Sequence, residues 1–287
     1  MLSCFLKKIG YVVLLFLRWG QDITILLQGK CVLSVLCYHR INDSNNDSMT
    51  VSTETFAHQV QLLKKHYHVI SAAELYNWLE HNVCPKHKKA VLITFDDGYE
   101  DNYSNALPIL KNFLCPAIFF VPTAYIGTSN PFTWDRTKYP DLTFPKMSWE
   151  QLQEASKNDI EIGIHSDTHI DFGKANFIDI KKDIEKSLIE FKHHFNKKNI
   201  SMAYPFGGKE NITHQVREYI KQHQDIVALF AAYGGKNINP IDRYNIKRIF
   251  ISSNDKGIVF RYRVAGGPPA FFRKLGFLFK RTSHPQA

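Results

Sequence analysis

The sequence predicts an α/β protein built around a mostly parallel sheet. Apolar runs of strand length alternate along the chain with segments of helical periodicity. The runs are continuously apolar, which is typical of strands that are covered on both faces. Repeated βα units of this kind form either a barrel or a doubly wound sheet. In both, functional groups lie at the carboxyl ends of the strands, so we expect functional residues directly after predicted strands.

The elements are predicted in chain order from periodicity and capping residues. Strands are expected at 31–38, 69–70, 90–95, 117–121, 160–164, 200–204, 226–231 and 246–251. Helices are expected to begin at Ser52 or Thr53, at the capping box of Ser71 and Glu74, near Tyr103 and at Ser148, and to cover 177–195 and 212–222. Residues 122–146 contain four prolines without clear periodicity and are expected to form a long loop.

Composition and charge limit the classes of partner. The 287 residues are 44% hydrophobic and 22% charged, as in ordinary globular proteins. A net charge of +9 favours anionic partners, among them acidic lipids, acidic glycans and nucleic acid. No nucleic-acid-binding motif accompanies the charge, so nucleic acid is not expected as a partner. The odd number of cysteines, without a CxxC pair, predicts buried free thiols in a reducing compartment. These are Cys4, Cys31, Cys37, Cys84 and Cys115.

Both ends of the chain combine apolar and basic residues. In the segment 1–30, an apolar run of nine residues at 9–17 is too short to span a bilayer, which takes about 20. No small-x-small cleavage site follows it. In the tail 253–287, aromatic and basic residues interleave at 271–281. The N-terminal segment is expected either to lie on an anionic membrane surface or to pack on the domain. The tail is expected to lie on such a surface, to dock a partner or to cover the core as a terminal helix. We therefore expect a cytoplasmic protein, peripheral at the inner membrane face, with secretion as the alternative.

Two motifs that follow predicted strands carry potential metal chemistry. Asp96 and Asp97 are adjacent carboxylates, which repel each other and so favour a cation or a proton between them. His165 and His169 have the i, i+4 spacing with which two imidazoles can share a metal. Two imidazoles and one carboxylate would leave coordination positions open for water and substrate, as a catalytic site requires.

Two further motifs are weaker signals. The run Tyr204-Pro205-Phe206-Gly207 follows another predicted strand and can aim a backbone N–H at a bound oxygen, but it also suits a plain turn. His39 follows the first strand, where a single histidine is more often structural than catalytic. All four motifs lie at strand ends, and together they are stronger evidence for an active site than any one of them.

The motifs together resemble those of a known family. TFDDG at 94–98, HSDTH at 165–169 and YPFG at 204–207, with LCYHRI at 36–41, resemble the polysaccharide deacetylase (NodB-homology) family of carbohydrate esterases. The resemblance covers roughly 31–252 and fits the branch with a YHxI first strand and a YPxG third motif. It implies a distorted (β/α) barrel of about seven strands with the active site at their C-terminal ends. It also implies hydrolysis of an N-acetyl, N-formyl or O-acetyl group on a sugar, with zinc or else nickel, cobalt or manganese.

The resemblance implies a role for each motif. The metal ligands would be Asp97, His165 and His169, and Asp96 would be the general base. The loop 204–207 would lie beside the oxyanion.

Two departures from the family pattern affect the remaining roles. The arginine that often precedes the third motif, where it orients the base, is missing, since 201–203 read Ser-Met-Ala. The late Leu-x-His motif that often supplies the acid is also absent. Arg248 is therefore a candidate for orienting Asp96. His39 becomes the candidate for the general acid, as the YHxI branch implies.

The sequence thus predicts a metal-dependent hydrolase that removes an N-acetyl group from an amino sugar. The expected substrate is a glycan or a lipid-linked glycan precursor in envelope polysaccharide or lipopolysaccharide synthesis. A sugar deformylase or O-deacetylase is the alternative within the same chemistry. A catalytically inactive glycan-binding relative is the alternative from another class, against which the presence of all three ligands and the base argues.

Overall fold

The computed structural model describes residues 2–45, 47–85 and 87–268. The strands are β1 (Val32–Tyr38), β2 (Arg40–Ile41), β3 (Thr50–Val51), β4 (His68–Val69), β5 (Lys89–Phe95), β6 (Ala117–Val121), β7 (Ile160–Ile164), β8 (Ile200–Ala203), β9 (Ile226–Phe230), β10 (Asn237–Ile238) and β11 (Arg248–Phe250). The helices are α1 (Leu2–Leu27), α2 (Thr53–His66), α3 (Ala72–His81), α4 (Leu107–Phe113), α5 (Thr133–Lys138), α6 (Trp149–Ser156), α7 (Phe177–His194), α8 (His214–Gln222) and α9 (Gly257–Val264). A π-helical turn, Asn102–Ala106, leads into α4.

Seven parallel strands of the described chain form the barrel. Their order around it is β1, β5, β6, β7, β8, β9 and β11, and β11 pairs with β1. The junction between β9 and β11 is a single bridge just before β11, where the Ile246 N–H donates to Leu229 O and the Ala231 N–H donates to Ile246 O. Because the ring closes through one bridge, the barrel is distorted. The predicted fold class, a distorted (β/α) barrel of about seven strands, is confirmed.

The strands are covered on both faces, as their continuous apolar runs predicted. All seven residues of β1 are buried, and so are all five of β6. Alternate strand residues enter two apolar clusters, one shared with α2, α4, α6, α7 and α8 and the other with α3. This burial on both sides fixes the strands, and with them the loops at their C-terminal ends.

The long loop predicted at 122–146 is wrong in part, because α5 lies within it. The helix is held by Asp135, whose carboxylate pairs with the buried Arg40 and accepts a hydrogen bond of 2.7 Å from the Tyr99 hydroxyl. Arg40 lies 95 residues away in sequence. Because the stabilising contact is that remote, local periodicity gave no signal for the helix.

The N-terminal helix is longer than the apolar run suggested. α1 has 26 residues, and its part Ile9–Leu27 is long and apolar enough to cross a membrane, although core helices and signal sequences pass the same test. The prediction that the apolar run at 9–17 is too short to span a bilayer was therefore wrong, because the helix continues past Arg18. The aromatic and basic run predicted at 271–281 lies outside the described residues.

The prediction that the cysteines are free thiols is wrong for Cys31 and Cys84. These two form a disulfide, with their Cα atoms 6.1 Å apart. They are separated by 53 residues, and the fold brings the segment after α3 to the start of β1. Spacing alone could not show this approach. Cys37 and Cys115 are free and buried.

Removing the disulfide by the double substitution Cys31→Ser/Cys84→Ser is expected to lower the free energy of unfolding by about 2–4 kcal/mol, because the cross-link restricts the unfolded chain. Urea denaturation without reductant measures the difference. Reductant should destabilise the wild-type protein to a similar degree and leave the variant unchanged. A wild-type protein whose unfolding is insensitive to reductant would contradict the assignment.

Candidate active site

The loops that carry the predicted motifs meet at one end of the barrel. His39 follows β1, Asp96 follows β5, His165 follows β7 and Phe206 lies in the loop after β8. All four line one cavity of about 440 Å³. Parallel strands place their carboxyl ends on the same side of a barrel, which explains why residues far apart in sequence converge here.

Three buried side chains form a candidate metal centre in this cavity. Asp97 Oδ1 lies 3.3 Å from His169 Nε2 and 3.6 Å from His165 Nε2. The potential ligand atoms of all three residues lie within 4.8 Å of one another. Asp97 Oδ1 is buried and makes no hydrogen bond to any described residue, which is costly for a carboxylate oxygen unless a cation compensates it. The residues present therefore fit a divalent metal with open coordination positions.

The protonation states also suit metal binding. His165 Nδ1 lies 2.7 Å from the Ala203 carbonyl oxygen, to which it can donate, and this leaves the Nε2 lone pair directed towards Asp97. Burial lowers the pKa of His165 to about 4, so the ring is neutral at pH 7. Burial alone would raise the pKa of Asp97, but the neighbouring His169 outweighs it and the pKa lies well below its usual range. The centre thus offers a neutral imidazole and an anionic carboxylate.

Asp96 is fixed by an arginine from β11. Arg248 Nη1 and Nη2 donate to the two carboxylate oxygens of Asp96 at 2.6 and 2.7 Å. Arg248 is itself fully buried, and its Nε donates to the Ala231 carbonyl at 2.7 Å. Burial would raise the pKa of Asp96, but the Arg248 guanidinium outweighs this and holds the pKa below its usual range. Asp96 is therefore an ionised carboxylate with a fixed orientation.

His39 lies close to the Asp96 carboxylate. One of its ring nitrogens is within 4.8 Å of ligand atoms of Cys37 and Asp96. Its Nδ1 is buried without a hydrogen-bond partner among the described residues. The ring packs edge-on against Phe250, with centroids 5.4 Å apart. His39 is thus held in the cavity with a nitrogen available for proton transfer.

The backbone of the motif loops is unusually constrained. Asp97, Ser166, His169 and Phe206 all have positive φ, between 61° and 73°. These are four of the seven non-glycine residues with positive φ in the described chain. Such conformations cost about 1–3 kcal/mol each and tend to cluster at functional sites. Their concentration here supports a functional site independently of the side-chain chemistry.

The loop 204–207 contributes less directly than the sequence suggested. Tyr204 is buried, its N–H donates to Phe230 O at 3.3 Å, and its hydroxyl donates to Gly207 O at 3.0 Å. The Gly207 N–H donates to Pro205 O. Pro205 has no N–H, so Phe206 supplies the one backbone donor of this loop that makes no hydrogen bond in the described structure. A side chain at Gly207 would meet Ala232 at 2.3 Å, so the turn requires glycine.

Trp134 is a residue of the cavity that sequence reasoning missed. Its ring centroid lies 5.0 Å from that of His169 and 5.8 Å from that of Phe206. Its Nε1 is buried and has no hydrogen-bond partner among the described residues. Trp134 belongs to α5, inside the region predicted as a loop. The only local sign of its importance in the sequence was the pair Trp134-Asp135 within a proline-rich stretch.

The sequence is similar to a family model and to several known proteins. The family model described as polysaccharide deacetylase matches residues 84–224. The Bacillus subtilis protein YxkH, named as a polysaccharide deacetylase, is 29% identical over 176 residues, which are 61% of this chain and 57% of that protein. The poly-beta-1,6-N-acetyl-D-glucosamine N-deacetylase of Staphylococcus epidermidis is 29% identical over 194 residues, with 60% of this chain and 64% of the relative covered. The chain therefore spans less than two thirds of the length of either relative.

Solved structures share the fold. The Streptococcus pyogenes deacetylase PplD in complex with acetate has a TM-score of 0.65 at 22% identity, covering 83% of this chain and 99% of that one. IcaB from Ammonifex degensii has a TM-score of 0.63 at 23% identity, covering 81% and 95%. At these identities the likeness extends to the fold alone.

Proposed function

We propose, since the chain belongs to the polysaccharide deacetylase family, that it hydrolyses the N-acetyl group of an amino sugar in a glycan with the help of a divalent metal. The observation that carries this proposal is the buried Asp97 oxygen, which has no hydrogen-bond partner in the described part of the chain and faces two imidazoles next to an ionised second carboxylate. The substrate class follows the name of the Staphylococcus epidermidis relative, so polymeric N-acetylglucosamine is the first substrate to test. The catalytic unit is proposed to be 31–252.

Zinc is the proposed metal, with nickel, cobalt and manganese as alternatives. One carboxylate and two imidazoles form a donor set typical of zinc in catalytic sites. A divalent cation at Asp97, His165 and His169 would lower the pKa of a bound water to about 7 and polarise the acyl carbonyl.

The protein groups around the centre supply the proton transfers. Asp96 accepts the proton of the attacking water, because it is ionised and Arg248 fixes both of its oxygens. The new C–O bond forms first and places negative charge on the carbonyl oxygen; when this oxyanion collapses, the C–N bond breaks and acetate is released. His39 donates the second proton, to the amine nitrogen that leaves. The Phe206 N–H is the backbone candidate for holding the oxyanion.

The wall of the cavity fits the rest of an acetylated sugar. Trp134, Phe206, Ala232 and Phe250 give it a largely apolar lining around a few polar groups, as ligand sites commonly have. This combination favours a ring with both apolar and hydroxylated faces.

The proposal is tested by acetate release from a panel of N-acetylated sugars, including oligomers of β-1,6-linked N-acetylglucosamine. We expect acetate release that a chelator abolishes and added zinc restores. Formate from N-formyl sugars, or acetate from O-acetyl sugars alone, would instead support the deformylase or O-deacetylase. Glycan binding without product would support the inactive relative. Deacetylation that survives complete metal removal would contradict the mechanism.

The substitution His39→Ala is expected to lower kcat by roughly 10²-fold or more, because the leaving amine loses its proton donor. Metal content should stay unchanged, since His39 is not among the proposed ligands. A substrate whose leaving group is more acidic provides the control. Such a group needs less protonation, so the His39→Ala variant should lose less turnover on this substrate than on the sugar amide. Unchanged turnover would reject the role.

The disulfide also bears on the cellular location of the protein. The expected cytoplasmic location depended in part on free cysteines, and the disulfide between Cys31 and Cys84 removes that support. Disulfides persist in oxidising compartments. We propose that the domain works on the outer side of a membrane. Protease treatment of intact cells tests this, because a cytoplasmic enzyme would be fully protected.

A further inference from the structure

One face of α1 is packed against the domain. Leu15 is buried, and the Tyr11 ring contacts Tyr262 of α9 with centroids 5.4 Å apart. One helical turn past Leu15, the Arg261 guanidinium lies 5.3 Å from the centre of the Trp19 ring.

The packed face ends in a buried ion pair. Asp22 is 4% exposed, pairs with Lys236 and lies 3.3 Å from Lys89 at the start of β5. A helix held at these successive points lies along the protein surface. Moving it into a membrane-spanning position would break the ion pair and separate α1 from α9.

The opposite face of α1 is apolar and exposed. Its large apolar side chains are 39–83% accessible, and at 100° per residue their positions all lie on one side of the helix. They are Ile9, Val12, Val13, Phe16, Leu17, Ile23 and Leu27. An exposed apolar stripe of this kind indicates an interaction site.

A basic cleft of about 680 Å³ adjoins the C-terminal part of α1, with Leu26 in its wall. Its other lining residues include four lysines and three histidines: Lys64, Lys65, Lys88, Lys89, His66, His68 and His87.

Carboxylates neutralise the cleft only in part. Glu74 lies 2.9 Å from His68, and Asp22 pairs with Lys89. In the described part of the chain, neither Lys65 nor Lys88 has a carboxylate partner within 4 Å. The cleft thus offers at least two uncompensated positive charges to an anion.

We propose that the apolar stripe of α1 and the basic cleft together dock the protein on a bilayer that contains anionic phospholipids. The stripe matches the acyl boundary of a membrane, and the cleft matches phosphate headgroups. The two are adjacent through Leu26, and a bilayer presents both chemistries side by side. A soluble polyanion would satisfy the cleft but leave the stripe exposed.

Docking in this way keeps the active site away from the lipid. Lys89 begins β5 and Asp96 directly follows it, so the cleft and the catalytic carboxylates lie at opposite ends of one strand, roughly 20 Å apart. The cavity stays open to a glycan in the aqueous phase. The inference does not depend on the proposed deacetylation, and its test measures binding alone.

The test is co-sedimentation of the full chain with vesicles of phosphatidylcholine alone or with added phosphatidylglycerol, over a series of salt concentrations. We expect binding roughly tenfold tighter with the anionic lipid and weaker at high salt. Phe16→Glu/Leu17→Glu should weaken binding at least tenfold because it places charge on the stripe. Lys65→Glu/Lys88→Glu should do the same for anionic vesicles only.

Matched controls carry the same changes elsewhere. Ile178→Glu/Ile189→Glu alters two apolar residues of α7 that are 66% and 67% exposed, and Lys157→Glu/Lys182→Glu alters two exposed lysines. Both should bind like the wild-type protein, and the melting temperature shows that each variant is folded. Equal binding to neutral and anionic vesicles, resistance to alkaline carbonate extraction, or cleft and stripe variants that bind normally would overturn the proposal.

Discussion

Asp96→Asn is expected to reduce the rate of acetate release by roughly 10²–10⁴-fold, the usual contribution of a positioned general base. Asparagine has the size of aspartate but cannot accept the proton of the attacking water. Its side-chain oxygen can still accept a hydrogen bond from Arg248, which now donates to both carboxylate oxygens. The loss should therefore fall on kcat, with the metal still bound. Steady-state kinetics on the best substrate of the panel measures it.

Asp101→Asn is the matched control for this substitution. Asp101 is a half-buried carboxylate close in sequence, but it lies outside the cavity and accepts hydrogen bonds from the Ile41 N–H and the Asn42 side chain. Burial raises its pKa to about 6, so loss of its charge is a smaller change than at Asp96, whose pKa is lowered. Turnover should stay near the wild-type value. If Asp96→Asn also turned over at a rate close to that of the wild-type protein, Asp96 would not be the general base.

Arg248→Met is expected to lower the free energy of unfolding by about 3–5 kcal/mol, because it leaves the Asp96 charge buried without its partner. Turnover should fall as well, since Asp96 loses both of the hydrogen bonds that orient it. Arg248→Lys keeps the charge but cannot bind both oxygens in parallel, and so an intermediate loss is expected. Urea denaturation and kinetics on the same preparations give both quantities.

A double-mutant cycle separates orientation of the base from general stability. If Arg248 acts through Asp96, adding Arg248→Met to Asp96→Asn should lower kcat little further. The unfolding free energies should also be strongly non-additive, because the asparagine variant contains no buried carboxylate to leave unpaired. Independent, additive losses of kcat in the double variant would show that Arg248 has a separate function.

Much of the site could be predicted from sequence because its signals are local. Asp96 and Asp97 are adjacent, His165 and His169 are four residues apart, and each pair directly follows a strand that its apolar run identifies. The parallel sheet then dictates that these loops meet. Arg248 was predicted only through the resemblance, as a replacement for an arginine missing elsewhere, and it lies beside Asp96.

The features that sequence missed depend on contacts between remote residues. Trp134 reaches the cavity because Asp135 is anchored by Arg40, and nothing near Trp134 in sequence indicates that partner. The approach of Cys31 to Cys84 likewise follows from how α3 returns to β1. The length of α1 was underestimated because its polar residues were taken as the end of the segment. One of them, Asp22, is instead neutralised by lysines of the domain.

The most direct test of the central claim, a divalent metal held by Asp97, His165 and His169, is the metal content of the purified protein after dialysis. Mass spectrometric elemental analysis should find stoichiometric divalent metal, with zinc the expected element, in the wild-type protein and in Asp96→Asn. Asp97→Ala and His169→Ala should lose it while they stay folded. The same metal content in all four proteins, or none in the wild-type protein after zinc loading, would contradict the assignment of the site.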